Sequence, residues 1–270
     1  MRVGFIGLGS QGAPMAQRIV AAGYRTTLWA RRPESLAPFA DTTARVAESP
    51  TELARASDLV CLCVGNDADV RAVLTGEHGV LAGTSAGGII AVHSTIHPDT
   101  CRDLADIAGA QNVSLIDAAV SGGALAAAEG RLLVMAGGPA DILRRCRPVF
   151  ETYANPIVHL GDTGSGHVTK LLNNLLFTAN LATAASVLTL GQQLGVEPAR
   201  LGEVISHGSA NSFALDRLLT GSLESIATTA GHTLRKDIQL VADLATAAEA
   251  TTGIALSAAD ATLALMGHQR

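Results

Sequence analysis

Three groups of residues in this chain have the types and spacing to do chemistry. Near the amino terminus Gly7-Leu8-Gly9-Ser10-Gln11-Gly12 spells G-x-G-x-x-G. Glycine at the first position permits a tight turn, at the second lets backbone approach a diphosphate, and at the third allows a helix to pack closely on a strand. A helix starting there offers unsatisfied N–H groups and a partial positive charge to phosphate oxygens. Further along, Ser121-Gly122-Gly123 joins a hydroxyl to two unhindered backbone N–H groups, the makings of a carboxylate cradle, although a plain glycine loop would read the same way. Lys170, Asn173, Asn174 and Phe177 fall at i, i+3, i+4 and i+7 and so share a helix face. A solvated polar stripe explains Lys170 and Asn174 in isolation. Their place in the first turns of an otherwise apolar helix points instead to a cleft-lining face.

These residues need elements to hold them. RVGFIGLG reads as a short buried strand running into glycine, residues 12–22 as a helix closed by Gly23, and YRTTLWA as a second strand. Strand, turn, helix, strand is a βαβ unit and implies a parallel sheet. The alternation continues with helices at 50–56, 68–74, 98–108 and 139–150, and with strands DLVCLCV, IIAVHS, VSLID, RLLVMAGG and PIVHLG. After Gly161 the strand signals stop. An apolar pattern free of proline runs over 166–194 and predicts a helix of unusual length, followed by helices at 198–206, 212–219, 233–250 and 256–266. The expected fold is α/β: a Rossmann-type dinucleotide-binding domain over 1–163, then an all-α substrate and dimerisation domain over 164–270 that opens with the long interdomain helix.

The tip of the second strand selects the cofactor. A carboxylate about 20 residues past the glycines would hydrogen-bond a ribose 2′-hydroxyl and favour NAD. Here the strand ends Trp29-Ala30-Arg31-Arg32-Pro33. Two guanidinium forks suit a 2′-phosphate, so NADP is expected ahead of NAD, with ordinary solvated loop arginines as the rival reading.

Composition narrows the class. With 48% hydrophobic and 16% charged residues the chain has enough apolar surface for buried cores. A net charge of -5 recruits neither nucleic acid nor an anionic membrane. Cys61, Cys63, Cys101 and Cys146 show neither C-x-x-C nor zinc spacing and read as buried thiols. No uninterrupted apolar stretch approaches the ~20 residues that span a bilayer, so a cytoplasmic protein is expected. His93 reads as a strand histidine satisfied by backbone, and no metal is assigned.

The segments GFIGLGSQGAPMA, DAAVSGGALAAAEGRLLVMAGG, GDTGSGHVTKLLNN and RKDIQLVADLA resemble, in order, the successive motifs of the β-hydroxyacid dehydrogenases, the family of 3-hydroxyisobutyrate dehydrogenase. The resemblance implies hydride transfer between NAD(P) and a small β-hydroxyacid or its semialdehyde. It implies Lys170 as general acid/base with Asn174 beside it, and Ser121, Gly122 and Gly123 as carboxylate binders. It places Gly7, Gly9, Gln11, Gly12, Arg31, Arg32, Val64, Gly65, Asn66, Thr95 and Lys236 around the cofactor, with Ser94 next to Thr95. For Asp237 an exposed helix position is an equal rival. A homodimer or homotetramer is the implied assembly.

The chain departs from the family at three points. Gln11 stands in place of methionine, Gly65-Asn66 replaces a proline-containing turn, and the final helices are short, the last residues being Gly267-His268-Gln269-Arg270. The last departure bears on pocket closure and subunit contacts. Two alternatives stand beside the main reading: an imine reductase-like enzyme, against which Lys170 and the Ser121-Gly122-Gly123 cradle speak, and a non-catalytic NADP-binding sensor.

Overall fold

The strands of the first half are runs of Val, Ile, Leu, Cys and Ala because both faces of their sheet are covered. A computed structural model describes residues 1–270. Eight strands, β1 (Arg2–Ile6), β2 (Arg25–Trp29), β3 (Arg45–Val46), β4 (Leu59–Leu62), β5 (Ile89–Val92), β6 (Ser114–Ser121), β7 (Leu132–Gly137) and β8 (Ala154–His159), lie in the order β3-β2-β1-β4-β5-β6-β7-β8. Successive residues alternate between faces, as the two-residue period of a strand requires. Val3, Phe5, Leu59, Cys61, Ile89 and Ala91 join one core, and Ile6, Val60, Leu62, Ile90 and Val92 join the other. The first core is closed by α1 (Gly12–Ala21), α5 (Gly123–Ala128) and α6 (Ala140–Phe150). The second is closed by α2 (Pro50–Arg55), α3 (Asp67–Thr75) and α4 (Pro98–Gly109).

The sheet is not parallel throughout. β6 and β7 run antiparallel. The link between them holds only the six-residue α5, shorter than the dozen or so residues a parallel crossover needs. A 3₁₀ segment, Pro33–Phe39, and the two-residue β3 also lie in a stretch for which the pattern predicts no element.

The second half is helical: α7 (Ser165–Gln193), α8 (Pro198–His207), α9 (Phe213–Leu219), α10 (Leu223–Ala247) and α11 (Gly253–Leu265). The chain divides into compact units at residues 1–170 and 171–270, so the boundary falls inside α7. Leu171, Leu175 and Leu181 of α7 pack with Ile226, Leu234 and Ile238 of α10 and with Ala259 and Leu263 of α11. Thr262 of α11 ties into α7, donating to the Thr178 carbonyl and accepting from the Ala182 amide at 3.0 Å.

α10 begins ten residues ahead of the expected 233, at Leu223. Ser222 and Ser225 form a reciprocal capping box that starts it, outweighing the threonines and Gly231 of the first turns. By length and composition α7 could cross a membrane, although Lys170, Asn173, Asn174 and Asn180 interrupt its apolar run. Its buried leucines serve the core of the second unit instead.

Candidate active site

In the first unit, β1 lies between β2 and β4, which is where an open α/β sheet leaves a crevice at its carboxyl edge. The parallel strands bring to that edge the Gly7–Gly12 turn after β1, Arg31 and Arg32 after β2, Val64-Gly65-Asn66 after β4, Ser94-Thr95 after β5, and Ser121-Gly122-Gly123 at the end of β6. Short bonds fix these loops to one another. The Val64 amide donates to the Ser94 hydroxyl at 2.8 Å, and the Asn66 carboxamide accepts from the Asp69 amide at 2.9 Å as the cap of α3. Ser94 and the Asn66 side-chain oxygen are thus committed to the scaffold.

The residues of the glycine turn fit a dinucleotide. Gly7 takes φ +99°, and a Cβ there would stand 2.1 Å from the Cys63 carbonyl oxygen; a Cβ on Gly12 would stand 1.9 Å from that of Gly7. Both are therefore packing glycines. A Cβ on Gly9 would meet nothing of the protein within 4 Å, leaving open space over the backbone where a diphosphate approaches. α1 starts with no side-chain cap and no acid in its first turn, and the Gln11 side-chain nitrogen is buried with no protein partner. Arg31 reaches Asp69 at 3.2 Å while its side chain stays 79% exposed, and Arg32 lies 3.9 Å from Glu34. Gly122 and Gly123 have φ of +129° and +77°, and a Cβ on Gly123 would also meet open space.

The start of α7 rests on Asp117, a residue the motif reading passed over. Asp117 is fully buried in β6 and accepts from the Gly164 amide at 2.8 Å and the His167 amide at 2.9 Å. His167, also fully buried, places its ring Nε2 2.8 Å from the Ser94 carbonyl, so that nitrogen carries the proton. Lys170 follows one turn later and is only 9% exposed. The stripe that is buried on this helix is Lys170, Asn174 and Thr178; Asn173, expected on the same face, is exposed. An aspartate between Ile116 and Ala118 in an otherwise apolar strand is the one signal in the sequence that could have pointed to this cap.

In the second unit the Asn174 carboxamide nitrogen donates to Asp237 at 2.6 Å, and its oxygen accepts from Asn173 at 3.0 Å. Asp237 has no exposed surface, and Lys236 stands 3.1 Å from its other oxygen. The exposed-helix reading of Asp237 is therefore overturned. One of the two amide hydrogens of Asn174 is thus spent on Asp237. Phe177 packs on Phe213 with ring centroids 6.0 Å apart.

His93 is a core residue. Its ring lies 2.6 Å from the Ala118 carbonyl and 3.2 Å from the Tyr153 hydroxyl, among Phe5 and Phe150, and burial pulls its pKa down to about 4. Burial likewise pushes the Cys61 thiol up and the Cys146 thiol up to about 12, which makes them unreactive.

A glycine-turn sheet edge of this geometry, in a chain whose second unit is helical, is that of a dinucleotide-binding oxidoreductase. Residues 2–161 match the family model for the NAD binding domain of 6-phosphogluconate dehydrogenase, and residues 164–269 match that for the NAD-binding region of NADP-dependent 3-hydroxyisobutyrate dehydrogenase. The chain belongs to the β-hydroxyacid dehydrogenase family. It is 35% identical to the 3-hydroxyisobutyrate dehydrogenase of Pseudomonas aeruginosa over 79% of this chain and 72% of that protein. It is 33% identical to the L-threonate dehydrogenase of Cupriavidus necator over 90% of this chain and 83% of that one. The solved structure of Mycobacterium tuberculosis 3-hydroxyisobutyrate dehydrogenase with L-serine is similar at TM-score 0.86 and 28% identity, over 99% of this chain and 94% of that chain. Likeness to an imine reductase of Streptomyces aurantiacus, at TM-score 0.71 and 20% identity, is one of fold alone.

Proposed function

We propose that this protein is an NADP-preferring dehydrogenase of a small β-hydroxyacid, interconverting it with its semialdehyde, and that Lys170 is the general acid/base. The observation that carries this reading is a lysine only 9% exposed, one turn ahead of Asn174 on the same helix. Lysine is rarely so buried except where a partner or a reaction needs it.

The nicotinamide ring, when bound, accepts hydride from the carbinol carbon or returns it. Lys170 takes the hydroxyl proton during oxidation and gives it back during reduction. Ser121 and the amides of Gly122 and Gly123 hold the substrate carboxylate, and the remaining amide hydrogen of Asn174 orients the reacting oxygen. Gly7, Gly9, Gln11 and Gly12 receive the diphosphate, while Arg31 and Arg32 receive the 2′-phosphate. Val64, Gly65, Asn66 and Thr95 line the cofactor through their backbone or side chains, and Lys236 contributes a positive charge to it. L-serine, 3-hydroxyisobutyrate, 2-(hydroxymethyl)glutarate and L-threonate, named for similar proteins, all pair a hydroxyl with a carboxylate. That pairing is the recognition this site supports. A cytoplasmic homodimer or homotetramer completes the reading; Leu172 and Leu176 of α7 are more than half exposed.

The test is turnover of those four hydroxyacids with NADP and with NAD, alongside the Lys170→Ala variant. Turnover of at least one hydroxyacid is expected, with loss of about 10³-fold in kcat on substitution. Cofactor binding without turnover, or a variant with near-normal kcat, would overturn the proposal.

A further inference from the structure

The segment that carries Lys170 is held by one buried carboxylate. Asp117 caps the start of α7 from β6, 47 and 50 residues away in sequence, through the amides of Gly164 and His167. Space for the carboxylate is made by two glycines. A Cβ on Gly137 would stand 2.5 Å from one Asp117 oxygen, and a Cβ on Gly166 would stand 2.7 Å from the other. The His167 ring then ties the same turn to Ser94, whose hydroxyl holds the Val64 loop. Ser121 lies four residues beyond Asp117 on the same strand, and Lys170 lies three residues beyond His167 on the same helix face.

We propose that Asp117 is a positioning residue for the reaction, setting the rotation and height of the first turns of α7, and with them Lys170, relative to the Ser121–Gly123 loop. The inference rests on the role of Lys170 proposed above. It goes beyond that role because the restraint comes from a residue that touches neither substrate nor cofactor. A carboxylate that accepts from the amide just before a helix and from another in its first turn offsets the positive end of the helix and restrains it about its axis. Small displacements of a catalytic group are enough to cost rate, since misplacement of about 1 Å can cost about 10²-fold.

The experiment compares Asp117→Asn with the unaltered enzyme by steady-state kinetics on the hydroxyacid turned over fastest, by NADPH fluorescence titration, and by competitive acetylation of Lys170 with acetic anhydride. Acetylation, read by mass spectrometry across a pH series, reports the lysine without turnover. Expected are a fall in kcat of about tenfold or more with NADPH affinity kept, and a changed rate of Lys170 acetylation. Unchanged kcat and acetylation would overturn the proposal, and so would parallel losses in kcat, NADPH affinity and melting temperature. Should Asp117→Asn not fold, His167→Gln and His167→Ala decide: glutamine keeps a donor for Ser94 and is expected to retain more kcat, and equal loss in both would overturn the proposal. Lys170→Ala separates the two readings. Near-normal kcat there removes the chemical role, while the acetylation result for Asp117→Asn still reports whether Asp117 places the lysine.

Discussion

The Asn174 carboxamide donates to the buried Asp237 carboxylate at 2.6 Å, and Lys236 closes on the other oxygen of that carboxylate at 3.1 Å. The pair fixes which way the Asn174 amide faces, because a nitrogen, not an oxygen, must meet the carboxylate. Replacing Asp237 by Ala leaves a buried amide hydrogen without its acceptor, which costs about 1–3 kcal/mol. A melting temperature lowered by several degrees is expected, with kcat falling more than hydroxyacid KM rises, since Asn174 then turns freely. Calorimetry and steady-state kinetics check this, and unchanged melting would contradict it.

Gly7, Gly9 and Gly12 separate a folding requirement from a binding requirement. Alanine at Gly12 would press on the Gly7 carbonyl, and alanine at Gly7 on that of Cys63, so either variant is expected to fold poorly. Alanine at Gly9 meets no protein atom within 4 Å. That variant is expected to melt as the unaltered protein does, yet to bind NADPH about tenfold or more weakly, because the methyl occupies the diphosphate's approach. Fluorescence titration beside thermal melting measures both, and unimpaired NADPH binding would place the diphosphate elsewhere.

The parts of the site that were legible in sequence are those made by local chemistry. The glycine turn, the loops after each parallel strand and the long α7 follow from residue type and periodicity within a few turns of chain. What escaped depends on partners far away in sequence. Asp117 reads as one acid in an apolar strand until the fold sets it against Gly164 and His167. Asp237 reads equally as a family-motif residue or an exposed helix position until Asn174, 63 residues earlier, meets it. The reversal at β7 escaped because apolar runs do not encode strand direction. The burial of Asn174 and the exposure of Asn173 escaped because a helix face spanning i to i+7 is too broad to say which edge is covered.

His93 makes stability depend on pH with a defined sign. Its folded pKa of about 4 lies below the ordinary value of 6.5, so below 6.5 the unfolded chain binds the proton that the fold refuses. The contribution is present in full above pH 6.5 and is lost as pH falls from 6.5 towards about 4. Between about pH 7 and about pH 5 it amounts to about 2 kcal/mol. His93→Gln is expected to flatten the stability profile by that difference. Urea unfolding of both proteins at the two pH values measures it, and equal slopes would mean the histidine is charged in the fold.

Arg31 carries the cofactor preference in this reading, because its guanidinium sits at the β2 tip, largely exposed and held only by Asp69 at 3.2 Å. A 2′-phosphate offers that fork a stronger partner than a single carboxylate oxygen does. Loss of a charge-assisted bond worth about 1.5–3 kcal/mol should therefore lower kcat/KM for NADPH by about 10- to 100-fold in Arg31→Ala while leaving NADH nearly untouched. Asp69→Asn is the complement: it loosens the hold on Arg31 and is expected to raise NADPH affinity modestly. Kinetics with both cofactors on the three proteins decide, and an NADPH-to-NADH ratio insensitive to Arg31 would assign the choice to Arg32 or to neither.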